Sequence, residues 1–100
     1  MGALAPFRRA ILFGAGASAV EVEKILARYG IALAAFADNG AAKQGTIFRG
    51  APVVAPAALP AMIDGTTAIV IASVYQVEIA AQLRDLGIPA EAVFPPSMAC

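Results

Sequence analysis

The stretch Ala10-Ile11-Leu12-Phe13-Gly14-Ala15-Gly16-Ala17-Ser18-Ala19-Val20 restricts what this chain can become more than any other. A short apolar run meets two glycines and then passes into an amphipathic pattern, which reads as strand, tight turn and helix start. Glycines admit a turn that side chains would obstruct. The first amides of the following helix then point outward with the positive end of its dipole, which makes a site for an anion.

The remainder of the chain supports one domain. One hundred residues are close to the common domain size and leave no room for a second core. The hydrophobic fraction is 60%, but alanine supplies much of it and no apolar run is long enough to span a membrane. Seven basic and seven acidic residues cancel and form no stripe, so composition gives no support for nucleic acid as a partner. Low charge with much apolar surface points instead to a partner protein, either a second copy or the rest of a parent chain from which this is a fragment. Arg8-Arg9 before an apolar run imitates a secretory leader, but the run stops at Gly14, and Glu21, Glu23 and Lys24 follow at helical spacing. Met1-Gly2 opens a myristoylation pattern that Pro6 breaks. Cys100 is the single cysteine and has no partner in the chain, so the expected compartment is the cytoplasm.

Read in order, residues 1–7 form a lead-in and Ala10 to Phe13 a buried strand. A helix is expected from about Ala17 to Tyr29, with Val22, Ile25, Leu26 and Tyr29 inward and Gly30 as its left-handed cap. Ile31 to Ala37 makes the second strand, ended by Asp38-Asn39-Gly40. Residues 41–50 read as a loop with a small excursion around Ile47-Phe48, and Pro52-Val53-Val54 as a short strand. Pro56 and Pro60 bound a brief helical turn. Thr67 to Ala72 is the clearest strand by β-branched content, and Ser73 is placed to cap a helix with Ile79, Ala80, Leu83 and Leu86 inward, ended by Gly87. Ala92-Val93-Phe94 is a last strand, stopped by Pro95-Pro96. The expected fold is α/β, three layers around a parallel sheet of about five strands in the order 3-2-1-4-5.

Gly14 to Ala19 fits G-x-G-x-x-G/A, with alanine at the third small position, where the helix only has to approach the sheet. Asp38 follows Gly16 by 22 residues, near the spacing at which an acid meets ribose hydroxyls and disfavours a 2′-phosphate. It equally suits the turn that Asn39 and Gly40 suggest. Ser18 is a phosphate donor or merely a first-turn serine satisfying its own helix. Ser73 and Tyr75 border the same crevice, either touching a base or sugar or serving as cap and packing. Lys43 and Arg49 lie beyond the second strand, where solvated loop charges are the simpler reading and a second phosphate contact the other. Arg8 and Arg9 belong to the sheet's opposite end.

The candidate cofactor-binding residues are therefore Gly14, Ala15, Gly16, Ala17, Ser18, Asp38, Asn39 and Ser73, with a nucleotide sugar or NAD as the ligand. No catalytic or metal residues are expected. The chain has no histidine, no paired carboxylates in one motif and no cysteine in its body. Neither tyrosine is followed four residues later by lysine, since Leu33 follows Tyr29 and Ile79 follows Tyr75.

The succession Ile11 to Gly16, Ala35-Phe36-Ala37-Asp38-Asn39, Gly45-Thr46-Ile47-Phe48-Arg49-Gly50-Ala51-Pro52-Val53 and Ala68 to Ser73 resembles a small Rossmann-like module. It is similar to the N-terminal nucleotide-sugar-binding domain of PglD-type sugar acyltransferases, to CapD-like polysaccharide-biosynthesis dehydratases, and to modules attached to FkbM-type methyltransferases. The resemblance covers residues 9–94. It implies an accessory nucleotide or nucleotide-sugar binding domain of a glycan-modifying enzyme, with Gly14, Gly16, Ser18 and Asp38 toward the ligand and chemistry elsewhere, in a transferase. Such modules usually continue the turn with a further glycine and an aromatic residue or histidine; this chain has Ala17-Ser18-Ala19. Two other readings use the same fold: a ligand-free interaction or dimerisation module, and the NAD-binding domain of an oxidoreductase.

Overall fold

The computed structural model describes residues 7–95, so the lead-in before Phe7, the stop at Pro96 and Cys100 lie outside the described residues. Six strands form one sheet in the order β3-β4-β2-β1-β5-β6. They are β1 Arg9–Phe13, β2 Ala32–Ala37, β3 Ile47–Phe48, β4 Ala51–Val54, β5 Thr67–Ile71 and β6 Val93–Phe94. All neighbours are parallel except β3 and β4. The expected order holds for the five parallel strands, and the Ile47-Phe48 excursion becomes an antiparallel edge. Its turn, Arg49-Gly50, has positive φ at both residues, 51° and 85°. That is the two-residue hairpin geometry whose twist matches the flanking strands.

Alternate side chains of the strands enter different cores. Leu12, Phe36, Val53 and Val70 face α1 (Ala17–Arg28), which contributes Ala19, Val22 and Leu26. Ile11, Phe13, Ala35, Ile69 and Ile71 face the other layer, made by α2 (Leu59–Met62) and α3 (Gln76–Asp85) through Leu59, Ile79 and Leu83. Burial on both faces explains why these strands read as continuous apolar runs. Four expected inward positions differ. Ile25 and Leu86 are half-buried, while Tyr29 and Ala80 are exposed, because each buried stripe is only one side chain wide where a short helix crosses the sheet. Pro60 lies in the first turn of α2 and does not end it, since a first-turn amide has no helical acceptor to lose.

Both long helices close with the same device. Gly30 and Gly87 adopt φ of 69° and 86°, the amide of the next isoleucine reaches back to Leu26 O at 3.0 Å and to Leu83 O at 3.1 Å, and each isoleucine is buried against its leucine's core. This is a Schellman cap with its hydrophobic contact.

At the amino end of the sheet, Asp64 fastens the entry to β5. Its carboxylate accepts from Thr66 Oγ1 at 2.7 Å, Thr66 N at 2.8 Å and Thr67 Oγ1 at 3.1 Å, and pairs with Arg9 at 2.8 Å. The threonine hydrogen bonds, led by the Thr66 hydroxyl, hold its pKa down to about 2, and Arg9 adds least. A carboxylate whose folded pKa lies below its unfolded value of about 3.9 stabilises the fold above that pH and loses the effect as pH falls toward the folded value. The melting temperature of the wild type is therefore expected to drop more steeply than that of Asp64→Asn between about pH 4 and 2. Parallel slopes in thermal scans across that window would contradict the assignment.

Candidate functional site

The chain leaves β1 for β2 on one side, while β5 returns on the other side of β1. The carboxyl ends of β1, β2 and β5 thus border one crevice, the position at which open parallel sheets take ligands. Gly14 is drawn into this point by two hydrogen bonds: its amide donates to Ala37 O at 2.7 Å, and Ala72 N donates to Phe13 O at 2.8 Å. A Cβ on Gly14 would sit 2.5 Å from the Ala72 carbonyl oxygen, at a φ of 121°. Gly16 is different in kind. Its backbone is extended, with φ −148°, and a Cβ there would meet only the tip of Lys43 at 4.0 Å. Ala19 is fully buried, which accounts for the small third residue of the motif.

Gly16 is also the N-cap of α1, and no side chain caps that helix. Its first-turn amides keep the open donors of any helix start. The five candidate amides of Gly14 to Ser18 are not equivalent, however. Gly14 spends its amide on Ala37, and Ala15 donates to Asp38 Oδ2 at 2.8 Å. The donors left for a ligand are those of Gly16, Ala17 and Ser18, and Ser18 itself is exposed in the first turn.

Asp38 is both turn former and brace. Oδ1 accepts from Gly40 N at 2.8 Å, and Oδ2 accepts from Ala15 N and lies 3.8 Å from Lys43 Nζ. Lys43 is not a free loop charge: its ammonium donates to Ala15 O at 3.0 Å. Arg49 likewise pairs with Glu23 of α1. Asn39 exchanges two amide hydrogen bonds with Gln82 of α3, at 3.0 and 2.8 Å, linking the β2 end to that helix. Gln82 had no sequence signal beyond lying one turn after Ile79. Ser73 does not cap α3, whose N-cap is Tyr75. It instead accepts from Tyr75 N at 3.2 Å, a local turn that delays the helix to Gln76. Tyr75 is 64% exposed and so has no packing role in the core.

Two clefts meet at Gly14. One, of about 230 Å³, is lined by Gly14 to Ser18, Asp38, Lys43 and Ala72 to Val74. The other, of about 380 Å³, runs toward α3 between Asp38, Asn39, Ser73, Tyr75 and Gln82. A cavity of about 370 Å³ at the opposite end of the sheet is bounded by Phe7, Ile63, Asp64 and Pro89. Its Asp64 carboxylate is already committed to Thr66, Thr67 and Arg9. Among the described residues no group of three or more His, Cys, Asp or Glu is placed to hold a metal, and no helix is long and apolar enough to cross a membrane.

No protein-family model and no curated protein matches the chain. Solved structures share its fold. It superposes on UDP-D-quinovosamine 4-dehydrogenase from Vibrio fischeri with a TM-score of 0.63 and 21% identity, over 89% of this chain and 75% of that one. RSP, a Rex-family repressor, gives 0.61 and 16% identity over 92% of this chain and 54% of its own. RSP in complex with beta-NAD+ and operator DNA gives 0.63 and 16%, over 89% and 49%. The chain thus spans about half the length of the repressor chains. The fold they share with it is Rossmann-like.

The two glycines separate experimentally. Gly14→Ala is expected to cost roughly 3 kcal/mol or more, from the carbonyl clash and the backbone strain together. Gly16→Ala should stay within about 0.5 kcal/mol of the wild type, because its conformation and surroundings accept a methyl group. Urea unfolding of both variants checks this, and equal losses would refute the division.

Proposed function

We propose that this chain is a nucleotide-holding domain, with NAD(H) as the first ligand to test and a nucleotide sugar as the second. The observation that carries the reading is the Gly14 turn: it opens the uncapped start of α1 into a cleft at the point where the strand order reverses. A diphosphate would lie against the amides of Gly16, Ala17 and Ser18. The base and its ribose would extend into the larger cleft between Asp38, Asn39, Ser73 and Tyr75. Asp38 keeps unused lone pairs on both oxygens after accepting two amides, so it remains able to receive a ribose hydroxyl. A bound form of RSP with beta-NADH gives NAD its precedence as a test ligand on this fold.

The domain holds and does not react. It has no histidine, and of the two carboxylates that line the clefts Asp38 is tied to backbone amides and Glu78 is exposed in the first turn of α3, so acid–base chemistry would come from another domain. The likeness to a UDP-sugar dehydrogenase chain favours a sugar-modifying parent enzyme, in keeping with the resemblance to PglD-type, CapD-like and FkbM-associated modules. Zero net charge favours a small ligand over nucleic acid.

Titration of the chain with NAD+, NADH and UDP-N-acetylglucosamine, read by amide NMR, tests this. Saturable shifts confined to Gly14 to Ser18, Asp38, Asn39 and Ser73 are expected with at least one of them. Silence with all three, together with a concentration-dependent mass, would replace the reading with a ligand-free interaction module.

A further inference from the structure

We propose that Lys43 is the charge-reading residue of the cleft: its ammonium leaves the Ala15 carbonyl for an oxygen of the ligand's diphosphate, so that affinity follows the diphosphate more than the base or ribose. The inference rests on reading the cleft as a nucleotide site.

Lys43 is the one cation among the described residues that line either cleft at Gly14. The other basic groups nearby are committed elsewhere, Arg49 to Glu23 and Arg9 to Asp64 at the far end of the sheet. An ammonium has three N–H donors. One goes to Ala15 O at 3.0 Å, while Asp38 Oδ2, at 3.8 Å, is a charge neighbour beyond hydrogen-bond reach. The tip lies 4.0 Å from the Cβ position that Gly16 lacks, on the side of the turn where the free amides of α1 open.

The loop delivers this side chain to the turn. Lys43 N donates to Gly40 O at 3.0 Å, Thr46 N to Lys43 O at 3.2 Å, and Gln44 Nε2 to Asp38 O at 2.9 Å, so the backbone behind the side chain is fixed. The charge balance also demands it. Asp38 lines the same cleft, and a diphosphate entering there would meet a carboxylate of its own sign unless a cation stands between them. Exchanging the neutral carbonyl for a diphosphate oxygen turns a hydrogen bond in which only the donor is charged into one between opposite charges.

The test compares NAD+ with adenosine, which lacks the diphosphate, on the wild type, Lys43→Gln and Lys43→Arg by amide NMR titration. Lys43 is half-exposed, so the variants are expected to fold, and their unbound spectra check that. Lys43→Gln should weaken NAD+ by about tenfold or more and leave adenosine within about twofold, while Lys43→Arg retains most of the NAD+ affinity. Unchanged NAD+ affinity in Lys43→Gln overturns the proposal and leaves the nucleotide reading standing. Equal losses for NAD+ and adenosine also overturn it, since Lys43 would then only brace the turn. A wild type that binds neither NAD+ nor UDP-N-acetylglucosamine removes the nucleotide reading, and the role of Lys43 goes with it.

Discussion

The approach of Gly14 to the Ala72 carbonyl governs the rest of the molecule. Where the end of β1 touches the end of β5 this closely, no side chain fits, and the chain has no choice but to turn out of the sheet at that height. The hydrogen bonds from Gly14 to Ala37 and from Ala72 to Phe13 then hold three strand ends level. Helix α1 must begin three residues later, at Ala17, with its first turn facing the crevice and not the sheet. The open geometry of the turn and the helix start is therefore a consequence of strand packing.

Level strand ends are useful only if the helices are held in register with them, and the two Schellman caps do this at the other end. Leu26 with Ile31 on one face, and Leu83 with Ile88 on the other, join the last turn of a helix to the residue that follows its glycine. Each pair lies in the core that its own helix covers. The glycine supplies a positive φ that an L side chain adopts only at a cost, and the buried pair fixes the direction in which the chain leaves. In this way α1 and α3 are anchored on opposite faces by the same local chemistry, with β1 and β5 between them.

Most of this was legible in the residues. The Gly-Ile endings, the apolar runs and the G-x-G-x-x-A spacing each report a local requirement, and local requirements survive in sequence. What was lost is what depends on long-range pairing. The Arg49 to Glu23 link and the Asn39 to Gln82 exchange join residues 26 and 43 positions apart, and neither leaves a pattern within one element. Ser73 misled for a subtler reason: a serine just before a helical stripe resembles a cap, but its hydroxyl can satisfy the amide two residues on and push the helix start further along. Lys43 was read as solvated because a loop lysine ordinarily is; only the folded loop shows its ammonium returning to the turn.

Asp38 changes the arithmetic of the proposed anion site. By accepting from Ala15 it removes one amide from the row that the motif suggests, and Gly14 loses another to Ala37. Three consecutive amides remain, at Gly16, Ala17 and Ser18, and at the helical rise of about 1.5 Å per residue they cover the width of a single phosphoryl group. A diphosphate has a second, and the helix dipole fades within one turn. The neighbouring group would then have to be met by a side chain, against the field of the same carboxylate that shaped the turn. The loop after β2 brings a lysine to that place. The brace that rigidifies the turn and the cation that offsets the brace's charge therefore form one unit, and neither would be of use to an anionic ligand without the other.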